Sequence, residues 1–227
     1  VESQEQIATM GLVDTLAEQD RLEYLIDGSK PPYNVNVKGL HYLLSTPFRY
    51  PPLTHGSRFG SRYEPSLFYG SREITTVLAE TAYYRFVFWD GMTTPPPSGC
   101  YKTQHTLFGA EFATPCGICL QWPPFDVHHA ALTDQCNYSA TQQMGQSMRE
   151  VGALAIEYCS ARDSLQGVNV ALYSPEVFTN PRPTFQDGYV CETTSSTVAF
   201  SSREGGTLFY FERNHFMVDG SLPSPAT

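Results

Sequence analysis

Three groups of side chains in this chain could do chemistry. The first sits in two loops: Phe48-Arg49-Tyr50 lies between Pro47 and Pro51, and residues 56–63 mix glycine and serine with Arg58, Arg62 and Tyr63. Planar guanidinium groups grip oxyanions such as phosphate through paired hydrogen bonds, so these loops read as built to hold something. The second is a single carboxylate, Glu80, three residues beyond Val77 at the border of an apolar helical stripe, where it can face a cleft. The third is Cys116-Gly117-Ile118-Cys119, followed closely by His128, His129 and Cys136. That spacing suits a zinc knuckle or a thiol redox pair, but the second Cys-x-x-Cys or His pair of a standard finger is missing. Buried reduced thiols are the expectation, with no metal. The other histidines are scattered, and no His-Asp pair is evident beside Ser160, so a nucleophilic-serine hydrolase has little to stand on.

The elements that would position these groups follow from apolar spacing. Ile7, Leu12, Leu16, Leu22, Leu25 and Ile26 predict a helical arm over residues 3–27, ended by Gly28 and Pro31-Pro32. His41-Tyr42-Leu43-Leu44 reads as a short strand entering the proline-broken loop, and Leu67-Phe68-Tyr69-Gly70 as a short buried strand. Ile74, Val77, Leu78 and Thr81 form the stripe of the helix that carries Glu80. Residues 91–130, with Pro95-Pro96-Pro97 and Pro123-Pro124, read as an insertion holding one strand near residues 106–112. Met144, Met148, Val151 and Ala155 mark a further helix. Strands are expected at 156–160, 168–173, 188–191, 197–200 and 207–211, with no internal repeat.

Composition narrows the classes. With 227 residues and 41% hydrophobic content the chain can bury one core, so a single domain at 41–227 behind an arm at 1–40 is expected. Its net charge of -9 repels a phosphate backbone and argues against direct nucleic-acid binding. No apolar run approaches the ~18 residues of a membrane span and no signal-peptide pattern opens the chain, so a soluble cytoplasmic protein is expected. Six sparse cysteines do not make a disulfide framework.

Three strings in order carry a family resemblance. Gly56-Ser57-Arg58-Phe59, then Phe68-Tyr69-Gly70, then Leu78-Ala79-Glu80 ending in Tyr83-Tyr84-Arg85, resemble the front half of a RES domain. Tyr158-Cys159-Ser160-Ala161-Arg162, with Gly167, Asn169, Pro175 and Phe178, resembles its back half. Each string alone is weak; their order is what makes the pattern specific. The resemblance implies an α+β fold with the split β-core and NAD cleft of ADP-ribosyltransferases, flanked by helices. It also implies a toxin that degrades NAD by phosphorolysis or hydrolysis, with inorganic phosphate as co-substrate in the first case and no cofactor.

By the same resemblance the family's arginine, tyrosine, glutamate and serine fall on Arg58, Tyr69, Glu80 and Ser160, and a further arginine on Arg49. Many members carry a Gly-Arg-Trp-Asn stretch where this chain has Ser61-Arg62-Tyr63-Glu64, so Arg62 competes with Arg58, which is preferred. The implied roles are Glu80 at the ribose, Arg49 and Arg58 on the pyrophosphate, Tyr69 with Tyr63 against the nicotinamide ring, and Ser160 as a positioning hydroxyl. Taken singly, each of these would more often be an ordinary surface or core residue. The implied partner is an Xre-type helix-turn-helix antitoxin, with homodimerisation left open. Two other functions compete: a mono-ADP-ribosyltransferase acting on a protein, and a non-catalytic binding module stabilised by zinc at Cys116 and Cys119.

Overall fold

The computed structural model describes residues 12–33, 35–203 and 205–224. They form helix α1 (Leu16–Ser29), the helical turn α2 (Tyr42–Ser45), strand β1 (Phe68–Ser71), helix α3 (Ile74–Asp90) and strands β2 (Tyr101–Gly109) and β3 (Gly117–Cys119). Helices α4 (His129–Leu132) and α5 (Ser139–Glu150) follow, then strands β4 (Ala155–Cys159), β5 (Val168–Leu172), β6 (Phe185–Thr193), β7 (Thr197–Ser202) and β8 (Leu208–Glu212). The strands divide into two four-stranded sheets, β1-β5-β4-β3 and β2-β6-β7-β8. All pairings are antiparallel except β3 with β4. A parallel pair needs a long crossover, and the segment carrying α4 and α5 supplies it. The chain is α+β, as expected.

β4 and β5 are nearly continuous apolar runs because both faces of the first sheet are covered. Ile156, Tyr158 and Ala171 face a cluster with Phe59, Leu67 and Met148 of α5. Their neighbours Ala155, Val170 and Leu172 point the other way and meet Leu44, Phe48 and Phe68. On the second sheet, α3 lays Leu78, Ala82, Tyr83 and Phe86 against Tyr189, Val198 and Phe200. Phe86 and Phe200 are both 0% exposed, so truncating either to alanine should cost ~3–5 kcal/mol.

Several sequence expectations are corrected. Tyr42–Ser45 is helical and His41 is its N-cap: the His41 ring accepts from Leu43 N (3.3 Å), and Pro47 sits in the first turn of the following 3-10 helix, where its missing N–H costs nothing. The helix around Met144 stops at Glu150, since Gly152, at φ +80, reverses the chain so that Ala153 N donates back to Met148 O (2.9 Å). Val151 is therefore exposed and Ala155 begins β4. The strand expected near 106–112 spans Tyr101–Gly109 and pairs with β6 along its whole length. Residues 91–130 thus supply an edge strand to each sheet, β2 and β3. The arm forms α1, its part before residue 12 lying outside the described residues.

Candidate active site

Glu80 lies on the face of α3 that looks toward the β4–β5 connection. Ser160, immediately after β4, donates from Oγ to Glu80 Oε1 at 2.6 Å, and Asn169, on β5, donates from Nδ2 to the same oxygen at 2.6 Å. Among the described residues both donors go to Oε1 and none to Oε2, which leaves the carboxylate fixed in direction with one oxygen uncommitted.

The loop from 160 to 167 sets this geometry. Ser160 Oγ accepts from Arg162 N (3.1 Å) and Asp163 N (3.0 Å), so its lone pairs are occupied and its one proton points at Glu80. A hydroxyl used in this way fixes the direction of the carboxylate. Asp163 folds the loop back by accepting from Thr76 Oγ1 (2.8 Å), Leu165 N (3.0 Å) and Gly167 N (3.3 Å). Gly167 has to be glycine: an added Cβ would lie 2.0 Å from Thr76 Oγ1. Asn169 is held in turn by Ser71 Oγ, which donates to its Oδ1 at 2.6 Å, from the position paired with it across β1 and β5.

Tyr69 and two arginines complete the cluster. The Tyr69 hydroxyl donates to Ser57 Oγ (2.8 Å) and accepts from Phe59 N (3.2 Å), while the residue as a whole is 37% exposed. Burial of the hydroxyl end pushes its pKa up, so it stays protonated. Arg58 is buried, donates from one nitrogen to Leu132 O (3.1 Å) and Asp134 O (2.9 Å), and stacks on the Tyr138 ring at 4.4 Å. Arg162 grips the same segment, donating to Gln135 O (2.8 Å) and Tyr138 Oη (3.1 Å), and lies 3.6 Å from the centre of the Tyr83 ring. Burial pushes the Tyr83 hydroxyl up to about 12, although the Arg162 charge opposes the shift. Neither arginine forms an ion pair with a carboxylate of the described residues. Two buried cations near one carboxylate favour an anion.

Two cavities meet at Tyr69 and Pro47. One, of about 380 Å³, follows α2 and the 50–57 loop to Tyr69 and Tyr84. The other, of about 570 Å³, lies between the edge strands β1 and β2. Glu80 lines neither wall; it is one helical turn from Tyr84 and reaches the second cavity through Asn169 and Ser71.

Of the residues singled out from sequence, the fold brings Glu80 and Ser160 into direct contact, while Arg58 is engaged by the carbonyls of Leu132 and Asp134 and Tyr69 by Ser57 and Phe59. Arg49 turns toward the N-terminal arm, donating to Pro31 O (2.7 Å), pairing with Asp27 (3.2 Å) and stacking on Tyr33. That guanidinium holds the Asp27 carboxyl below the usual range. Arg62 and Tyr63 stack on each other at the surface. Sequence reading did not assign roles to Asn169, Arg162, Ser71 or Asp163. Asn169 was detectable in principle: a polar residue in the apolar run Val168-Asn169-Val170 needs a buried partner. Among the described residues no group of three His, Cys, Asp or Glu could hold a metal ion; Cys119 Sγ instead donates to Glu157 at 3.8 Å.

The chain is an α+β protein in which Ser160 and Asn169 hold the Glu80 carboxylate. A family model of the RES domain matches residues 31–194, more than half of the chain, and the protein belongs to that family. No curated protein matches the chain. Membership is consistent with a toxin-like, NAD-related role. Among the described residues no helix is long and apolar enough to cross a membrane.

Proposed function

We propose that this RES protein is a toxin-type enzyme that cleaves NAD at the nicotinamide–ribose bond and passes ADP-ribose to inorganic phosphate or water. The observation that carries the reading is the Glu80 carboxylate, oriented through one oxygen by two 2.6 Å donors and left open at the other. In this cleavage the bond to the ring nitrogen breaks with its electron pair leaving on nicotinamide, which departs neutral, while the ribose carbon becomes oxocarbenium-like. A fixed carboxylate there holds ribose hydroxyls and stabilises the developing positive charge. An oxygen of phosphate or water forms the new bond, water losing a proton to solvent.

The other residues take supporting roles. The exposed ring of Tyr69, anchored by its hydroxyl, offers a face for the nicotinamide. Arg58 and Arg162 supply the positive field that the diphosphate requires, acting from beneath the 132–138 segment. Arg49 contributes by fixing the arm, and Arg62 and Tyr63 lie at the periphery. NAD loss would stop growth, so the enzyme needs a keeper. An Xre-type helix-turn-helix antitoxin suits a chain of net charge -9.

The test is purified protein incubated with NAD, with and without inorganic phosphate, and the products resolved by mass. Nicotinamide with ADP-ribose, or with its phosphate when phosphate is present, is expected. Intact NAD after incubation with folded, antitoxin-free protein overturns the reading. Radiolabel carried onto one protein band of a lysate would instead make the chain a mono-ADP-ribosyltransferase.

A further inference from the structure

The turn that joins β4 to β5 is closed on itself. Ser160 N donates to Gly167 O (2.8 Å) and Gln166 N to Asp163 O (2.9 Å), with Gln166 in the left-handed region at φ 52. A turn tied in this way moves as one piece, so whatever fixes it on α3 also fixes the Ser160 hydroxyl. It meets α3 through three side chains: Asp163 accepts from Thr76 Oγ1 (2.8 Å), Ser160 donates to Glu80 (2.6 Å), and Arg162 lies over the Tyr83 ring (3.6 Å). Thr76, Glu80 and Tyr83 stand at i, i+4 and i+7 on one face of the helix, with Glu80 in the middle. The outer two contacts therefore set the register of the turn along α3. A slide of one residue, about 1.5 Å, is enough to break the bond between them.

Asp163 is the more demanding of the two outer residues. It is 9% exposed and forms no ion pair with a cation of the described residues. A carboxylate taken out of water in this way costs stability unless hydrogen bonds replace the water. Both of its oxygens are used as acceptors: Oδ1 takes Leu165 N, and Oδ2 takes Gly167 N and Thr76 Oγ1. An amide at this position could accept at one of them only. Two of the three donors belong to the turn itself, and the third, Thr76, is 1% exposed and lies one helical turn before Glu80. The contact closes a ring that runs from Thr76 to Asp163, from Asp163 N to Ser160 Oγ (3.0 Å), from Ser160 to Glu80, and back along α3 to Thr76.

We propose that Asp163 is a positioning residue for the Glu80 carboxylate, acting with Thr76 to lock the 160–167 turn onto α3 so that the Ser160 proton meets Oε1. Its effect passes through Ser160. The consequence for catalysis rests on the NAD reading above, whereas the lock itself is a property of the fold.

The experiment is steady-state NAD cleavage by Thr76→Val, which keeps the side-chain shape and removes the hydroxyl, by Thr76→Ser, which keeps the hydroxyl, by Asp163→Asn, and by Ser160→Ala alone and combined with Thr76→Val. In Thr76→Val and Asp163→Asn kcat should fall about tenfold with KM within about twofold of wild type, while Thr76→Ser keeps most of the activity. The double variant should be no slower than Ser160→Ala, because the lock then has no proton to position. A rise in KM with kcat unchanged, equal losses in the two Thr76 variants, or a double variant slowed by the full product of the single effects overturns the proposal. If Asp163→Asn does not fold, the Thr76 pair decides. Exchange of the Arg162 and Asp163 amide protons, both donated to Ser160 Oγ, is followed by NMR in wild type and Thr76→Val and needs no NAD. Exchange about tenfold faster in Thr76→Val is expected, and unchanged exchange overturns the lock. The two readings fail separately: faster exchange in a protein that leaves NAD intact removes only the catalytic reading, whereas full NAD cleavage by Thr76→Val removes only this one.

Discussion

At the scale of single residues, the account rests on how one carboxylate is held. Ser160 and Asn169 each donate to Glu80 Oε1, and a hydrogen bond to a charged group contributes about 1.5–3 kcal/mol. Asn169→Ala is therefore expected to lower kcat for NAD about ten- to a hundredfold, because 1.4 kcal/mol is about a factor of ten in rate. A positioning role predicts a fall in kcat with little change in KM, and partial rescue in Asn169→Gln; a large rise in KM alone would place Asn169 in ground-state binding instead. Ser160→Ala should behave likewise, since its proton is already committed to Glu80. The types of these residues could be read in the chain, and the motif order singled out Glu80 and Ser160, which the fold brings into contact. Asn169 and Arg162 were in the same strings, but their roles depend on which atoms meet across β1, β5 and α3. The contacts that Arg49 makes, in place of the expected pyrophosphate clamp, were not legible either, because its partner Asp27 lies on a separate arm.

At the scale of elements, α5 and the 56–60 turn are fitted through a glycine. A Cβ on Gly145 would lie 2.0 Å from the Phe59 carbonyl oxygen, a backbone atom that cannot swing aside. Gly145→Ala should therefore destabilise the protein by about 1–3 kcal/mol, seen as a lower denaturant midpoint, and should reduce activity because the displaced turn carries Arg58. An unchanged midpoint would show that α5 has room to move. The apolar strands β1, β4 and β5 and the helix α3 were legible because each has a strong period and a clear boundary. β2 was harder to place: its opening residues, Tyr101-Lys102-Thr103-Gln104-His105, are polar, as an edge strand allows. The helical turn α2 was hidden by a short apolar run that fits either state, with proline placed where a helix start tolerates it.

At the scale of the whole molecule, two sheets with their edges apart leave an internal space that carries a buried neutral histidine. His105 has a folded pKa of about 4 against an unfolded value near 6.5, so the unfolded chain binds more protons between these limits. Its stabilising contribution is complete above about pH 6.5 and is lost as the pH falls toward about 4. Melting temperatures of wild type should fall over that window more steeply than those of His105→Phe; parallel curves would show that His105 takes up its proton alike in the folded and unfolded chain. Sequence could announce an α+β chain, but not that residues 91–130 build an edge of each sheet. That depends on pairings with β4 and β6, far along the chain. The central claim is that Glu80, held by Ser160 and Asn169, drives cleavage of NAD. It is tested most directly by the rate of NAD loss with wild type and with Glu80→Gln, both shown to be folded. A fall of at least a hundredfold is predicted, on the order of the loss when one electrostatic stabiliser is removed. Equal rates in the two proteins would contradict the account.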